Sequence, residues 1–262
     1  YCHNDRRAVR PYAQETADAG KAEKFKEVSY SFNVVKYFQH DLTSVKPIAY
    51  SRQLNLNKNS VPVTKMGEGY HLEGDVIVIN RELTELDVFV KDFLEVLKKH
   101  CDYLIVSGFV SISTGRTRGT EDVDVLVPVM SKEKFENLFD DLQKDRFWCY
   151  QGDSTKEVYP YINDLQNIRF ARVNEMFPNM EVIPINEKKK AKFFEFNHPQ
   201  KVRVQDFEFK IPPVEFEILY KELVLGGKKD FADAKHLRTF FADIIKKEKF
   251  KEYRPIVESE NG

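Results

Sequence analysis

The chain has 262 residues, 41 of them Lys or Arg and 42 Asp or Glu, so its formal charge is −1. That length can bury a core without a disulfide or metal staple, and a content of 42% hydrophobic, 13% aromatic and 32% charged residues excludes both a disordered chain and a membrane-embedded one. The charge balance excludes a globally basic nucleic-acid coat, so any polyanion site must be a local patch. Cys2, Cys101 and Cys149 are too few and too scattered for a disulfide framework, which points to reduced thiols and a cytoplasmic setting. Cys2-His3 and His100-Cys101 lack a second half-site at zinc spacing. No apolar run reaches the roughly 20 residues of a bilayer span, so no membrane role is expected.

Residues 1–80 read as an N-terminal extension. Asp5 to Lys26 is polar with alanine spacing, an arm or solvated helix. Tyr30–Val34, Val61–Val63 and Asp75–Ile79 are short alternating runs separated by turn-rich segments, which predicts β-hairpins. From Thr84 a capping box with Asp87 precedes Leu86, Phe89, Val90, Phe93, Leu94 and Leu97 at helical spacing, predicting a helix to about residue 99. Tyr103–Val106 and Val123–Val127 read as buried strands, Ser131 opens a helix carrying Phe135, Leu138, Phe139 and Leu142, and Phe147–Tyr150 is a further strand. Ile168–Val173 and Met180–Ile185 follow as strands, then a hairpin of Val202–Val204 and Phe207–Phe209, then helices over about 214–225 and 231–245. Strands alternating with helices predict an α/β (α+β) architecture, with a short mixed sheet flanked by helices over 81–211 and a helical module over 212–262.

The informative segment runs from Ser107-Gly108 to Asp122-Val123-Asp124. On a strand, alternate side chains share a face, so Asp122 and Asp124 project together while Val123 and Val125 face the core. Close carboxylates repel unless a cation neutralises them, and hard oxygen ligands of this kind suit Mg²⁺ or Mn²⁺ bridging a nucleotide's phosphates. Two such ions could activate an attacking oxygen and stabilise leaving pyrophosphate. Gly108 would allow close backbone approach where a strand turns into a short helix, whose free N–H groups suit phosphate oxygens. Arg116 and Arg118, with Thr117 and Thr120, place guanidinium groups beside the expected triphosphate site. An isolated Asp-x-Asp is commonly a solvated pair; here it is the conjunction of turn, short helix, Arg-rich loop and strand that points to chemistry.

The stretch VSGFVSISTGRTRGTEDVDVLV resembles the signature of the polymerase-β-like nucleotidyltransferase superfamily. Together with IPPVEFEILYKELVLGGKKDFADAKHL, it resembles the abortive-infection nucleotidyltransferase toxins and their archaeal relatives. The likeness spans about residues 84 to 245, and Ser107-Gly108-Phe109 stands where the family usually has Gly-Gly or Gly-Ser. It implies a nucleotidyltransferase fold and transfer of a nucleotide from an NTP to the hydroxyl of a tRNA or a protein, with release of pyrophosphate. It also implies a role as the toxin of a toxin–antitoxin pair, with an antitoxin as partner. Asp122 and Asp124 then take the metal-ligand role, and Ser107, Gly108, Arg116, Arg118 and Thr120 bind the nucleotide. Glu181, on a strand between apolar neighbours, becomes the candidate third carboxylate, unless it is an outward-facing strand residue. Lys221 and Asp230 match the helical Lys and the following acidic residue of the toxins; otherwise they are ordinary charges at helix ends, Asp230 as a cap. The alternative function is a catalytically silent module of the same fold that binds nucleotide or a protein partner. Lys188–Lys190 with Lys192 read either as a solvated helix face or as a contact for an RNA acceptor.

Overall fold

The computed structural model describes residues 66–67 and 69–261. The arm over Asp5 to Lys26 and the runs Tyr30–Val34 and Val61–Val63 lie outside the described residues. The described chain is mixed α/β, built on two five-stranded sheets.

The first sheet contains β1 (Met66–Gly67), β2 (Tyr70–Glu73), β3 (Val76–Ile79), β9 (Gln200–Val204) and β10 (Phe207–Ile211), in that spatial order. Its neighbours are antiparallel except β3 and β9, which run parallel. Residues 66–79 therefore share a sheet with strands more than a hundred residues downstream. The second sheet has the order β4 (Leu104–Val106), β5 (Asp122–Pro128), β8 (Asn179–Ile185), β7 (Ile168–Arg172), β6 (Phe147–Cys149), with β5 and β8 parallel and the other pairs antiparallel.

The helix expected after Thr84 is α1 (Glu85–Leu97), and its capping box is present. Thr84 Oγ1 accepts the Asp87 N–H at 3.2 Å while the Asp87 carboxylate accepts the Thr84 N–H at 2.7 Å. A short α2 (Gly108–Ser113) follows β4, and Ser131 caps α3 (Lys132–Lys144). Helix α4 (Thr155–Asn163) has only Val158 and Ile162 as fully buried aliphatics, too few for the sequence pattern to announce it. Val123, Val125 and Val127 point from β5 into the main core with Phe89 and Phe93 of α1 and Phe135 and Phe139 of α3. Leu126 points the other way, into a smaller cluster with Leu104, Val106, Ile183, Ile185 and Phe196.

The C-terminal part is a small helical bundle. Helix α5 (Lys190–Phe196) packs against α8 (Lys247–Glu258), and α6 (Val214–Tyr220) packs against α7 (Lys228–Phe240) and α8. Between α6 and α7 the chain widens into a π-helical turn, Lys221–Leu225, closed by Gly226 at φ +62°. The second expected helix begins earlier than the apolar pattern indicated: Gly227 starts α7, and Phe231, read as facing the core, is 52% exposed while Ala234, Leu237 and Phe241 are buried. Helix α8 was hidden by its Lys/Glu-rich sequence, yet Tyr253 and Val257 at four-residue spacing bury against Phe216 and Leu219.

Asp87 ties the start of α1 to the turn before it, because Arg81 donates to both of its oxygens at 2.6 and 2.8 Å and the residue is fully buried. Burial opposes its charge, but Arg81 and the two Thr84 hydrogen bonds win and hold the carboxyl below its ordinary range. Replacing it removes a cap and strands a cation. Asp87→Ala is expected to destabilise the fold by about 3 kcal/mol, measured as a lower urea midpoint at unchanged slope; a loss under about 0.5 kcal/mol would refute that role.

Candidate active site

The site is written into strand register. Val106 of β4, Asp124 of β5, Glu181 of β8 and Arg169 of β7 are successive cross-strand partners, so their side chains lie in one row on one face of the second sheet. Asp122, two residues earlier on β5, pairs with Asn179 and shares that face. The carboxylates of Asp122, Asp124 and Glu181 each offer an oxygen within 4.8 Å of the others. The structure therefore brings together the three acidic residues singled out in the sequence.

Each carboxylate is supported differently. Glu181 accepts from Asn167 Nδ2 at 2.8 Å and from Arg169 at 2.9 Å, which fixes both oxygens. Thr120 Oγ1 donates to the Asp122 carbonyl at 2.8 Å, bracing the start of β5. Asp124 is the perturbed member: burial, then the charges of Asp122 and Glu181, push its pKa from 3.8 up to about 6, against the opposing pull of the Ser107 hydroxyl and Lys192. A cluster of this kind lacks positive charge at its centre. Hard oxygen donors from three carboxylates fit a divalent cation such as Mg²⁺ or Mn²⁺, which would relieve the repulsion raising Asp124.

Ser107 links the carboxylates to the helical bundle. It sits at the end of β4 with φ +63° and ψ −126°, a conformation that ordinarily requires glycine. Its carbonyl accepts from Lys221 Nζ at 3.0 Å and its hydroxyl bonds Asp124. The neighbouring Gly108 allows the Arg-rich loop to fold down, since a Cβ there would meet the Arg118 guanidinium.

Three further expected site residues, Arg116, Arg118 and Lys221, converge on a different acid. Asp233 of α7, fully buried, is ion-paired with Arg116, with Arg118 at 3.4 Å and with Lys221 at 3.5 Å. Lys221, itself fully buried in the π-helical turn, also lies 3.1 Å from Glu217 Oε1. Asp230 accepts the Gly227 N–H at 3.2 Å, which is the capping geometry its position at the start of α7 allowed. Sequence patterns missed Asp233 and Glu217, because each sits on a helix with no local sign of its distant partners. They also missed Arg169 and Asn167, whose role follows only from the β7–β8 register.

No protein-family model matches the chain, and no curated protein matches it. Among solved structures, the chain is similar to ANT(2")-Ia in complex with adenylyl-2"-tobramycin at 12% identity and a TM-score of 0.39, over 68% of this chain and 100% of that one. It is similar to an antigenic nucleotidyltransferase-like protein from Paracoccidioides brasiliensis at 15% identity and a TM-score of 0.39, over 66% of this chain and 94% of that one. Likenesses this remote leave the site to be read from its own geometry. No helix among the described residues is long and apolar enough to cross a membrane.

Two measurements check the site's electrostatics. Below about pH 4 Asp124 is protonated whether folded or not, and above about pH 6 it must ionise in the fold, so the metal-free protein loses stability as pH rises between those values. Asp124→Asn removes that penalty: in EDTA at pH 8 it is expected to exceed the parent by on the order of 2 kcal/mol, and at pH 4 to match it. Equal stabilities at pH 8 would contradict the raised pKa. For the buried hub, Asp233→Ala leaves three cations facing a lost partner and is expected to lower stability by about 3–5 kcal/mol in denaturant titration; a near-neutral result would mean the cations find other acceptors.

Proposed function

We propose that the chain is a Mg²⁺- or Mn²⁺-dependent nucleotidyltransferase, and the observation that supports this best is the convergence of Asp122, Asp124 and Glu181 on one sheet face. The cation, when bound, would neutralise the triphosphate and the charge that develops on leaving pyrophosphate. Asp122 and Asp124 hold it. The acceptor's hydroxyl oxygen attacks the α-phosphorus of an NTP, the bond to the β-phosphate oxygen breaks, and pyrophosphate leaves. Glu181, kept in place by Arg169 and Asn167, is the residue that receives the proton of the attacking hydroxyl. Ser107 and Gly108 border the place of the triphosphate. On the resemblance noted above, the acceptor is a tRNA or a protein side chain and the activity is that of a toxin restrained by an antitoxin.

The test is incubation with each labelled NTP, Mg²⁺, total RNA and lysate, asking which macromolecule becomes labelled. Asp122→Ala with Asp124→Ala is expected to lower labelling by about 10³-fold, roughly 4 kcal/mol of transition-state stabilisation. Labelling that survives the double variant would sink the reading. A second reading has its own support: Arg116, Arg118 and Lys221 are all occupied by Asp233 and Glu217. A silent nucleotide-binding module would show Mg²⁺-dependent NTP binding in calorimetry with no labelled product from any acceptor pool.

A further inference from the structure

The cations that the sequence offers for a triphosphate are engaged by buried acids, Arg118 the least tightly, since it lies 3.4 Å from Asp233 and also against Gly108. Arg116, Arg118 and Lys221 pair with Asp233, and Lys221 also with Glu217. A site built to hold a triphosphate needs positive charge besides a metal, because a cation held by Asp122 and Asp124, with Glu181 close by, would already be largely neutralised by these carboxylates.

A cavity of about 160 Å³ adjoins Asp124 and contains a further cation. Asp124 and Ser107 form its sheet side, Lys192 and Glu195 of α5 form one wall, and Glu217 and Tyr220 of α6 form the other. Lys192 is the one cation lining it. Its ammonium sits 4.9 Å from the centre of the Tyr220 ring, a cation–π contact that fixes it in the cavity. The acids around it are Glu217, already paired with Lys221 at 3.1 Å, Glu195, whose carboxyl burial pushes well above its usual range against the opposing pull of Lys192, and Glu260, whose charge also acts on Lys192.

We propose that Lys192 is the triphosphate-binding cation of this site, its ammonium taking the non-bridging oxygens of the β- and γ-phosphates from the cavity beside Asp124. The inference rests on the nucleotidyltransferase reading above and deepens it. A lysine suits the task as a compact, rotatable point charge that can follow phosphates without the fixed fork of arginine. Lys221 is then a positioning residue, which holds Ser107 through its carbonyl and touches no substrate.

The test is calorimetry on the full chain in Mg²⁺ with ATP, GTP, CTP and UTP, each set beside its monophosphate. Lys192→Met is expected to weaken the bound triphosphate by about 10- to 50-fold, the scale of one charge-assisted contact. The matching monophosphate should change by less than about 2-fold, and Lys192→Arg should recover most of the difference. Lys192→Gln, which keeps a polar tip over Tyr220, is measured alongside so that a folding defect in one variant does not remove the comparison. Equal weakening of tri- and monophosphate, or triphosphate affinity within about 2-fold of the parent, would overturn the assignment, as would a triphosphate-selective loss found instead in folded Lys221→Met. Should the parent bind no NTP in Mg²⁺, both this inference and the transferase reading fall; should the parent bind and the Lys192 variants match it, Lys192 alone falls.

Discussion

The parallel pairing of β5 with β8 is the constraint on which the site depends. Asp124 lies opposite Glu181 and Asp122 opposite Asn179, two strands from distant parts of the chain locked in a single register. A slip of one residue would turn Glu181 into the core and bring Met180 or Val182 to the site face, with an apolar cost on both sides of the sheet. The fully buried Val123, Val125 and Met180, with Val182 almost so, oppose that slip. Core packing on one face thus fixes the geometry of three mutually repelling carboxylates on the other. The sheet carries this repulsion because hydrophobic burial, rather than any local contact of the acids, sets the pairing.

A second constraint joins the sheet to the helical bundle. Asp233 collects cations from the loop between α2 and β5 and from the π-helical turn, while Lys221 reaches from that turn to the carbonyl of Ser107. A π-helical turn adds a residue to one helical turn and reorients the side chains around it, and here it lies where Lys221 must meet Glu217, Asp233 and Ser107 together. The strained serine is held from both sides, by Lys221 on its carbonyl and Asp124 on its hydroxyl. Strain of this kind persists only where the surroundings over-determine it.

What the sequence made legible follows from the range of each interaction. Asp122 and Asp124 could be read because strand alternation is local, and the valines between and after them mark the core face. Glu181 could be singled out by its apolar neighbours, but its distance from the aspartates depended on a strand order that periodicity does not encode. The capping box of α1 was legible for the same local reason. Helices α4 and α8 were not, because each buries only a few side chains and carries its charges on every other face. Asp233 gave no signal at all: its three cations come from one distant loop and from the π-helical turn, and a buried acid in an amphipathic helix looks like any polar residue until its partners are placed.

The charges that were read as solvent-facing show how composition conceals division of labour. Lys188 to Lys192 form a basic run that pattern alone assigns to a wet surface or to an RNA contact. In the fold they separate, with Lys189 donating to the carbonyls of Leu165 and Pro184 and Lys192 turned over Tyr220 into the cavity beside Asp124. A near-neutral sum therefore resolves into two opposed sets. One is an ion-pair network of Arg116, Arg118 and Lys221 with Asp233 and Glu217. The other is the carboxylate row, whose excess negative charge is answered by Arg169 at one end and Lys192 at the other. That residual imbalance at its centre is the physical reason the three carboxylates could hold a metal ion.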